Sequence, residues 1–388
     1  MKILHTSDWH IGKRLGRHDR MAEFRDVLGE VETIADERDV DLVLVSGDIW
    51  DRPIPPMDAL TLGLETLLRL AERRPVVAVA GNHDSAELFE ALAPLLRPRG
   101  VHLIGDIRRP DEGGLLGPGV LGVPAVIAGF PFLREGRVVD FMREAGEWYR
   151  AYADKVAAIT RAYNEALIAT TGADAVPILM AHFMVGGVKI DRAAPRGERE
   201  LHMGDAYAAT AQSIPAGPQY VAMGHIHAPQ QVPGAPVPAH YAGSLLALDF
   251  GEAGEKKRVV IVDAEPGSLA TIESVPLTKG RRLERVTGDW PSIEARTDEL
   301  ADAFLDLTVK TSGTDLTLAD RARETFPFVV KVRAWRPESE RRERLVKGHR
   351  SWHDLYADYY TREHSVPPPD ELVALFRDVL EEAADAPA

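Results

Sequence analysis

Near its start the chain repeats one unit three times: a short strand-like run, a turn built on Gly, Asp, Asn or His, then a chain segment of different spacing. The runs are Lys2–His5, Leu42–Ser46 and Val76–Ala80. They stop at Asp8-Trp9-His10, Gly47-Asp48 and Gly81-Asn82-His83-Asp84. Between them, residues 20–38 put Met21, Phe24, Val27, Leu28, Val31 and Ile34 on one helical face, and Ala59–Leu70 is a second amphipathic helix. Such alternation predicts an α/β sheet, and the carboxyl ends of its strands are where α/β sheets place their sites.

Two later runs obey the same rule. Val176–Ala181 leads into His182, and Gln219–Gly224 leads into His225-Ile226-His227. Residues 258–263 and 270–275 read as a closing strand pair around Pro266-Gly267, and 141–170 as a long helical stretch. After Gly280, Arg282–Val286, Phe304–Val309 and Phe328–Trp335 read as strands, separated by helices near 292–302 and 317–324. The tail carries Trp352, Leu355, Tyr356, Tyr359 and Tyr360, then Leu372, Leu375, Phe376, Val379 and Leu380, with Pro367-Pro368-Pro369 between them. This is a helix–loop–helix whose apolar stripes need a partner, either each other or another protein. The expected division is 1–279, 280–337 and 338–388.

The five clusters together offer Asp, His, Asp, Asn, His, His and His as ligands, with His83 left over. Histidines two residues apart on an extended chain face one side, so His225 and His227 address one site. Two divalent ions ~3.5–4 Å apart need a bridging carboxylate, and Asp48, alone at its strand end, is the natural bridge. There is no cysteine, so carboxylate, amide and imidazole must do the work; this set suits manganese, magnesium, iron or zinc. Such a pair of ions activates water and neutralises a phosphate. His5, His18, His102, His202, His240, His349, His353 and His364 lack this placement and read as ordinary polar or surface residues.

The net charge of −14 argues against nucleic acid, but the local field outweighs the sum. Lys13, Arg14, Arg17 and Arg20 directly follow the first cluster, opposed by Asp19. Neither a secretory leader nor a membrane-spanning run is expected, and the lack of cysteine suits a reducing cytoplasm.

The order Asp-x-His, Gly-Asp, Gly-Asn-His-Asp, His, Gly-His-x-His resembles the calcineurin-like metallophosphoesterase superfamily. Leu4-His5-Thr6-Ser7-Asp8-Trp9-His10-Ile11-Gly12-Lys13, Ser46-Gly47-Asp48-Ile49-Trp50-Asp51-Arg52, Gly81-Asn82-His83-Asp84-Ser85 and Tyr241-Ala242-Gly243-Ser244 narrow it to a resemblance to the SbcD family. That resemblance implies an α/β fold: a β-sandwich flanked by helices, a small α+β capping domain over DNA, and a C-terminal helix-loop-helix for an ATPase partner. It implies Asp8, His10, Asp48 and His227 on one ion, and Asp48, Asn82, His182 and His225 on the other. His83 would stand beside the scissile phosphate and assist the leaving oxygen. Where many relatives carry Phe, this chain has Trp50, and Leu245-Leu246 stand where proline is often found; neither change touches a ligand.

The implied function is a metal-dependent DNA exonuclease and endonuclease acting on ends and hairpins in repair and recombination. Its two ions would be Mn2+ first, with Mg2+ or Fe2+ as substitutes. Its partners would be double-stranded DNA and an SbcC-type SMC-like ATPase, as a homodimer within a heterotetramer, in the cytoplasm at the nucleoid and not on a membrane. Lys13, Arg14, Arg17 and Arg52 are the candidates for DNA-backbone contact, against the alternative of solvated surface charge. The run Arg341–Arg350 reads first as a solvated helix or linker. Two other classes compete: a nucleotide or small-molecule phosphodiesterase on the same fold, and a scaffold with structural metals.

Overall fold

The computed structural model describes residues 1–134, 148–188, 209–311, 315, 317–335, 356, 359–361, 366, 368–369 and 372–376. The chain opens as β1 (Lys2–Thr6), α1 (Met21–Glu37), β2 (Leu42–Val45), α2 (Met57–Ala71), β3 (Val76–Val79), α3 (Ala86–Leu96) and β4 (Val101–Ile104). It continues as β5 (Leu115–Leu116), α4 (Pro118–Leu121), β6 (Ala125–Phe130), α5 (Trp148–Thr170), β7 (Val176–His182) and β8 (Tyr220–Gly224). Next come β9 (Gln230–Gln231), β10 (Ala239–Tyr241), β11 (Arg258–Asp263) and β12 (Thr271–Pro276). Among the described residues the last strands are β13 (Leu283–Gly288), β14 (Phe304–Lys310) and β15 (Val329–Trp335).

Two six-stranded sheets result, in the orders β12-β11-β1-β2-β3-β4 and β5-β6-β7-β8-β10-β9. Within the first, β1 through β4 run parallel, and the expected closing pair adds antiparallel on the other side of β1. In the second, β6, β7, β8 and β10 run parallel.

Strands β2, β3, β6 and β8 are apolar without alternation because both their faces are buried. Ile3, Leu42, Leu44, Val77 and Val79 face the second sheet, meeting Ile127, Ile178, Met180 and Ala222 between the layers. Their neighbours Leu4, Val43, Val45, Val76 and Ala78 face outward onto α1, α2 and α3, against Phe24, Leu28, Leu67 and Phe89. The outer face of the second sheet is covered by α5 through Val156, Ile159, Tyr163 and Leu167. The fold is therefore a β-sandwich flanked by helices. Each fully buried aliphatic side chain is worth ~1.5–3 kcal/mol relative to exposure.

Helix α1 starts where Asp19 Oδ1 accepts the Met21 N–H at 2.8 Å. Arg20 is buried rather than part of a basic surface: it pairs with Glu23 at 2.9 Å and donates to the Ala247 carbonyl at 2.7 Å. His5 and His102 are also buried rather than at the surface. His5 sits between the sheets with Nδ1 2.9 Å from the Tyr220 hydroxyl. Of the leucines on α2, Leu62, Leu67 and Leu70 belong to the chain's own core. Trp50 packs edge-on against Phe89 and over Gly63, where any Cβ would strike its indole, and donates Nε1–H to Ala59.

Strands β13, β14 and β15 form a separate sheet, parallel throughout, with its own core of Val286, Ile293, Leu300, Leu307, Leu318 and Phe326. The helix expected near 292–302 is two short pieces, Trp290–Glu294 and Thr297–Leu300. This sheet meets the sandwich at an apolar cluster of Leu15, Phe250, Leu283 and Phe304. In the tail, Tyr356 stacks on Phe376 with centroids 4.2 Å apart, so the described parts of the two stripes touch each other. The remainder of the predicted helix pair, and the run 341–350, lie outside the described residues.

Candidate metal centre

Five parallel strands, three from one sheet and two from the other, deliver the sequence-predicted clusters to one place. Asp8 and His10 follow β1, Asp48 follows β2, and Asn82 and His83 follow β3. His182 ends β7, and His225 and His227 follow β8. All seven predicted ligands and His83 come together. The nearest ligand atoms of Asp8, His10 and His227 lie within 4.8 Å of one another, as do those of Asp8, Asp48 and His182, and of His10, Asp48 and His83. Asn82 Oδ1 adds a further meeting point, 3.0 Å from His182 Nε2 and 2.9 Å from His225 Nδ1.

The backbone is strained where it presents these groups. Among the described residues, five non-glycines have positive φ: Asp8, His10, Asp39, Asp48 and His225. Four of them are predicted ligands, and such conformations cost ~1–3 kcal/mol each. The glycines have a packing reason. A Cβ on Gly81 would run into the Asp48 carboxylate, and one on Gly224 into the Ser46 carbonyl and the His182 ring. At both positions a glycine precedes a predicted ligand because a neighbouring loop passes directly over it.

Asp48 stands between two groups. Its Oδ2 lies 3.5 Å from His10 Nε2 and 3.4 Å from His182 Nε2, while Oδ1 accepts the His83 N–H at 2.8 Å. Burial raises its pKa, but His182 and His10 outweigh burial and hold it well below the usual carboxylate range.

The imidazoles are braced from behind. His182 Nδ1 donates to the Ser46 carbonyl at 2.7 Å, which turns its Nε2 toward Asn82 and Asp48. His227 Nδ1 lies 2.9 Å from Glu252 Oε1, which turns its Nε2 toward His10 Nε2 at 3.1 Å. His10 Nδ1 faces Asp51 at 3.6 Å, and His83 Nδ1 donates to the Asp51 carbonyl at 3.0 Å. The inward atoms are thus nitrogen and oxygen lone pairs facing one another, an arrangement that needs protons or cations between them. Burial pushes His182 and His227 down, but Asp48 and Glu252 respectively raise each to about 9. The donor set and its inward aim fit divalent cations.

Sequence reasoning misses the residues behind the ligands. Asp84 belongs to a ligand motif but has no role assigned by spacing. It is buried and accepts from the amides of Gly81, Ile49 and Trp50 at 2.9, 3.2 and 3.1 Å, tying the second ligand loop to the third. Burial, then Asp48, lifts its pKa to about 6. Phe132 and Arg134 follow β6: Phe132 stacks on His225 at 5.9 Å, and Arg134 donates to the Asp84 carbonyl. Glu252 and Lys257 follow β10, a strand that had no ligand motif to mark it.

Of the basic candidates, Lys13 and Arg52 flank the centre at Asp51. Lys13 lies 3.2 Å and Arg52 3.9 Å from Asp51, and Arg14 donates to the Arg17 carbonyl at 2.7 Å. Arg14, Arg17 and Arg52 are exposed; Lys13 is half-buried and braces the wall of the site.

Residues 1–229 match the family described as Calcineurin-like phosphoesterase. The chain is 34% identical to the SbcD component of the SbcCD nuclease from Bacillus subtilis (strain 168), over 98% of this chain and 97% of that one. It is 31% identical to the protein of that description from Rhodobacter capsulatus, over 88% and 82% of the two chains. It is 29% identical to that of Escherichia coli (strain K12), over 89% and 87%.

Proposed function

The chain belongs to the calcineurin-like phosphoesterase family and, within it, to the SbcD nucleases; from that premise we propose how its residues divide the work. It is a metal-dependent nuclease, a hydrolase of phosphodiester bonds. Asp8, His10, Asp48 and His227 would hold one divalent ion, and Asp48, Asn82, His182 and His225 the other. The observation that carries this reading is Asp48 Oδ2, which stands almost equally far from the imidazoles of the two groups. When bound, such ions lower the pKa of a water and neutralise charge on the phosphoryl oxygens.

The chain's own side chains do the rest. His83 adjoins His10, ring centroids 4.7 Å apart. Its Nδ1–H is spent on the Asp51 carbonyl, so Nε2 is the atom that meets a phosphate and gives a proton to the leaving oxygen. Lys13, Arg14, Arg17 and Arg52 lie where a DNA backbone would pass. Mn2+ is the preferred ion in this reading. The substrate is double-stranded DNA at ends and hairpins. The segment 280–337 caps the DNA, and 338–388 docks an SbcC-type ATPase within a heterotetramer at the nucleoid. Among the described residues no helix is long and apolar enough to cross a membrane.

The test is hydrolysis by the purified chain with added manganese, with labelled duplex, hairpin DNA and a small phosphodiester run side by side. DNA cleavage lost in His83→Ala is the expected result. Turnover of the small ester alone, with the ATPase partner present, would overturn the substrate assignment.

A further inference from the structure

Glu252 lies on the turn Phe250–Glu252, beyond β10, and is 5% exposed. Its two oxygens serve different partners. Oε1 faces His227 Nδ1 at 2.9 Å. Oε2 accepts from Lys257 Nζ at 2.6 Å, Ser244 Oγ at 3.1 Å and the Leu248 amide at 3.1 Å. Lys257 Nζ also donates to the His227 carbonyl at 3.1 Å and to Glu255 at 2.8 Å. One acid–base pair thus grips both the ring and the backbone of His227.

A carboxylate this deeply buried survives as an anion only when charge and hydrogen bonds compensate it fully. Lys257 Nζ at 2.6 Å, the Ser244 hydroxyl and the Leu248 amide supply that compensation. The turn itself is pinned by Phe250, which packs with Leu15, Leu283 and Phe304. Glu252 is therefore a rigid anionic acceptor for one imidazole nitrogen.

We propose that Glu252 is a positioning residue of the metal centre: it fixes the ring of His227 with Nδ1–H outward and Nε2 presented to an ion, and Lys257 holds Glu252 in place. The inference rests on reading His227 as a ligand. A metal-binding imidazole whose other nitrogen donates to a carboxylate is oriented and made more basic. The second group differs, because His182 donates to the neutral carbonyl of Ser46. Loss of Glu252 should therefore weaken the ion shared with Asp8 and His10 and spare the one shared with Asn82 and His182.

The test titrates the full chain with Mn2+, reading free ion by electron paramagnetic resonance, in wild type, Glu252→Gln, Glu252→Ala and His227→Ala. In Glu252→Ala one of the two ions should bind about 10–100-fold more weakly and the other as in wild type. Glu252→Gln, which keeps an acceptor for Nδ1–H, should lie closer to wild type. Should the Ala variant fail to fold with Lys257 unpaired, the double variant Glu252→Ala/Lys257→Met removes both charges and should show the same selective loss. Wild-type affinity for both ions in these variants, or equal weakening of both, overturns the inference. If His227→Ala alone loses an ion, the ligand reading survives that failure; if His227→Ala also keeps both, the ligand reading falls with it.

Discussion

His83 donates its backbone N–H to Asp48 Oδ1 at 2.8 Å, so the residue that adjoins the reacting phosphate in our reading also steadies the carboxylate between the two ligand groups. The two duties use different atoms. Substituting the side chain of His83 removes one and leaves the other.

His83→Ala should therefore cut the rate of DNA hydrolysis by about 10²–10⁴-fold, the range for a positioned proton donor. Its bound metal should stay at wild-type stoichiometry, read by elemental analysis after desalting. Loss of metal along with activity would mean that the imidazole is itself a ligand.

Asp48→Asn keeps shape but removes the charge that faces His10 and His182. Both ions should weaken together. Cleavage should fall by more than about 100-fold, beyond what loss of an outer partner of a ligand costs. Asp8→Ala should also abolish cleavage. Parent-like turnover in either variant would refute the assignment.

Asp84→Ala leaves three buried amides, those of Ile49, Trp50 and Gly81, without their acceptor. Each unpaired buried donor costs ~1–3 kcal/mol, so roughly 3 kcal/mol or more of stability should be lost in urea denaturation. Asp84→Asn retains an acceptor oxygen and should lose less.

Acid should destabilise the fold through His5. Burial lowers its pKa from 6.5 to about 3. As pH falls, the unfolded chain takes up this proton first, so stability is complete above pH 6.5 and is lost progressively towards pH 3. Between pH 7 and 5 this single group contributes a loss of about 2 kcal/mol. His240, stacked on the same Tyr220 and lowered to about 4, acts in the same direction. Denaturation midpoints at pH 7 and pH 5 should differ less in His5→Gln than in wild type; an unchanged difference would assign the acid sensitivity elsewhere.

Removing residues 345–388 should leave manganese-dependent cleavage in place and abolish capture by the ATPase. Cleavage lost with capture retained would contradict the division of labour proposed for the tail.

Much of the convergence was legible in sequence because the predicted ligands sit at ends of apolar strands, where local composition changes abruptly. Asp8, His10, Asp48, Asn82, His182, His225 and His227 are each marked by a strand before them, and their convergence follows from parallel strands of two facing sheets. Asp51 and Asp84 lie inside recognisable motifs, yet their partners are hidden from sequence. Asp84 binds amides 34 and 35 residues away. Helix α3 is not among the helices that the sequence reading marks, although Ser85 caps it through the Leu88 amide at 3.1 Å.

Local periodicity and motif order pointed to the residues that converge, since burial on two faces and metal-ligand chemistry each leave a mark on neighbouring positions. Only tertiary structure decided what stands behind them. Glu252 reaches His227 across 25 residues, and Ser46 reaches His182 across 136. Such pairings depend on which strands become neighbours and where a buried charge finds its partner, and no spacing along the chain encodes either.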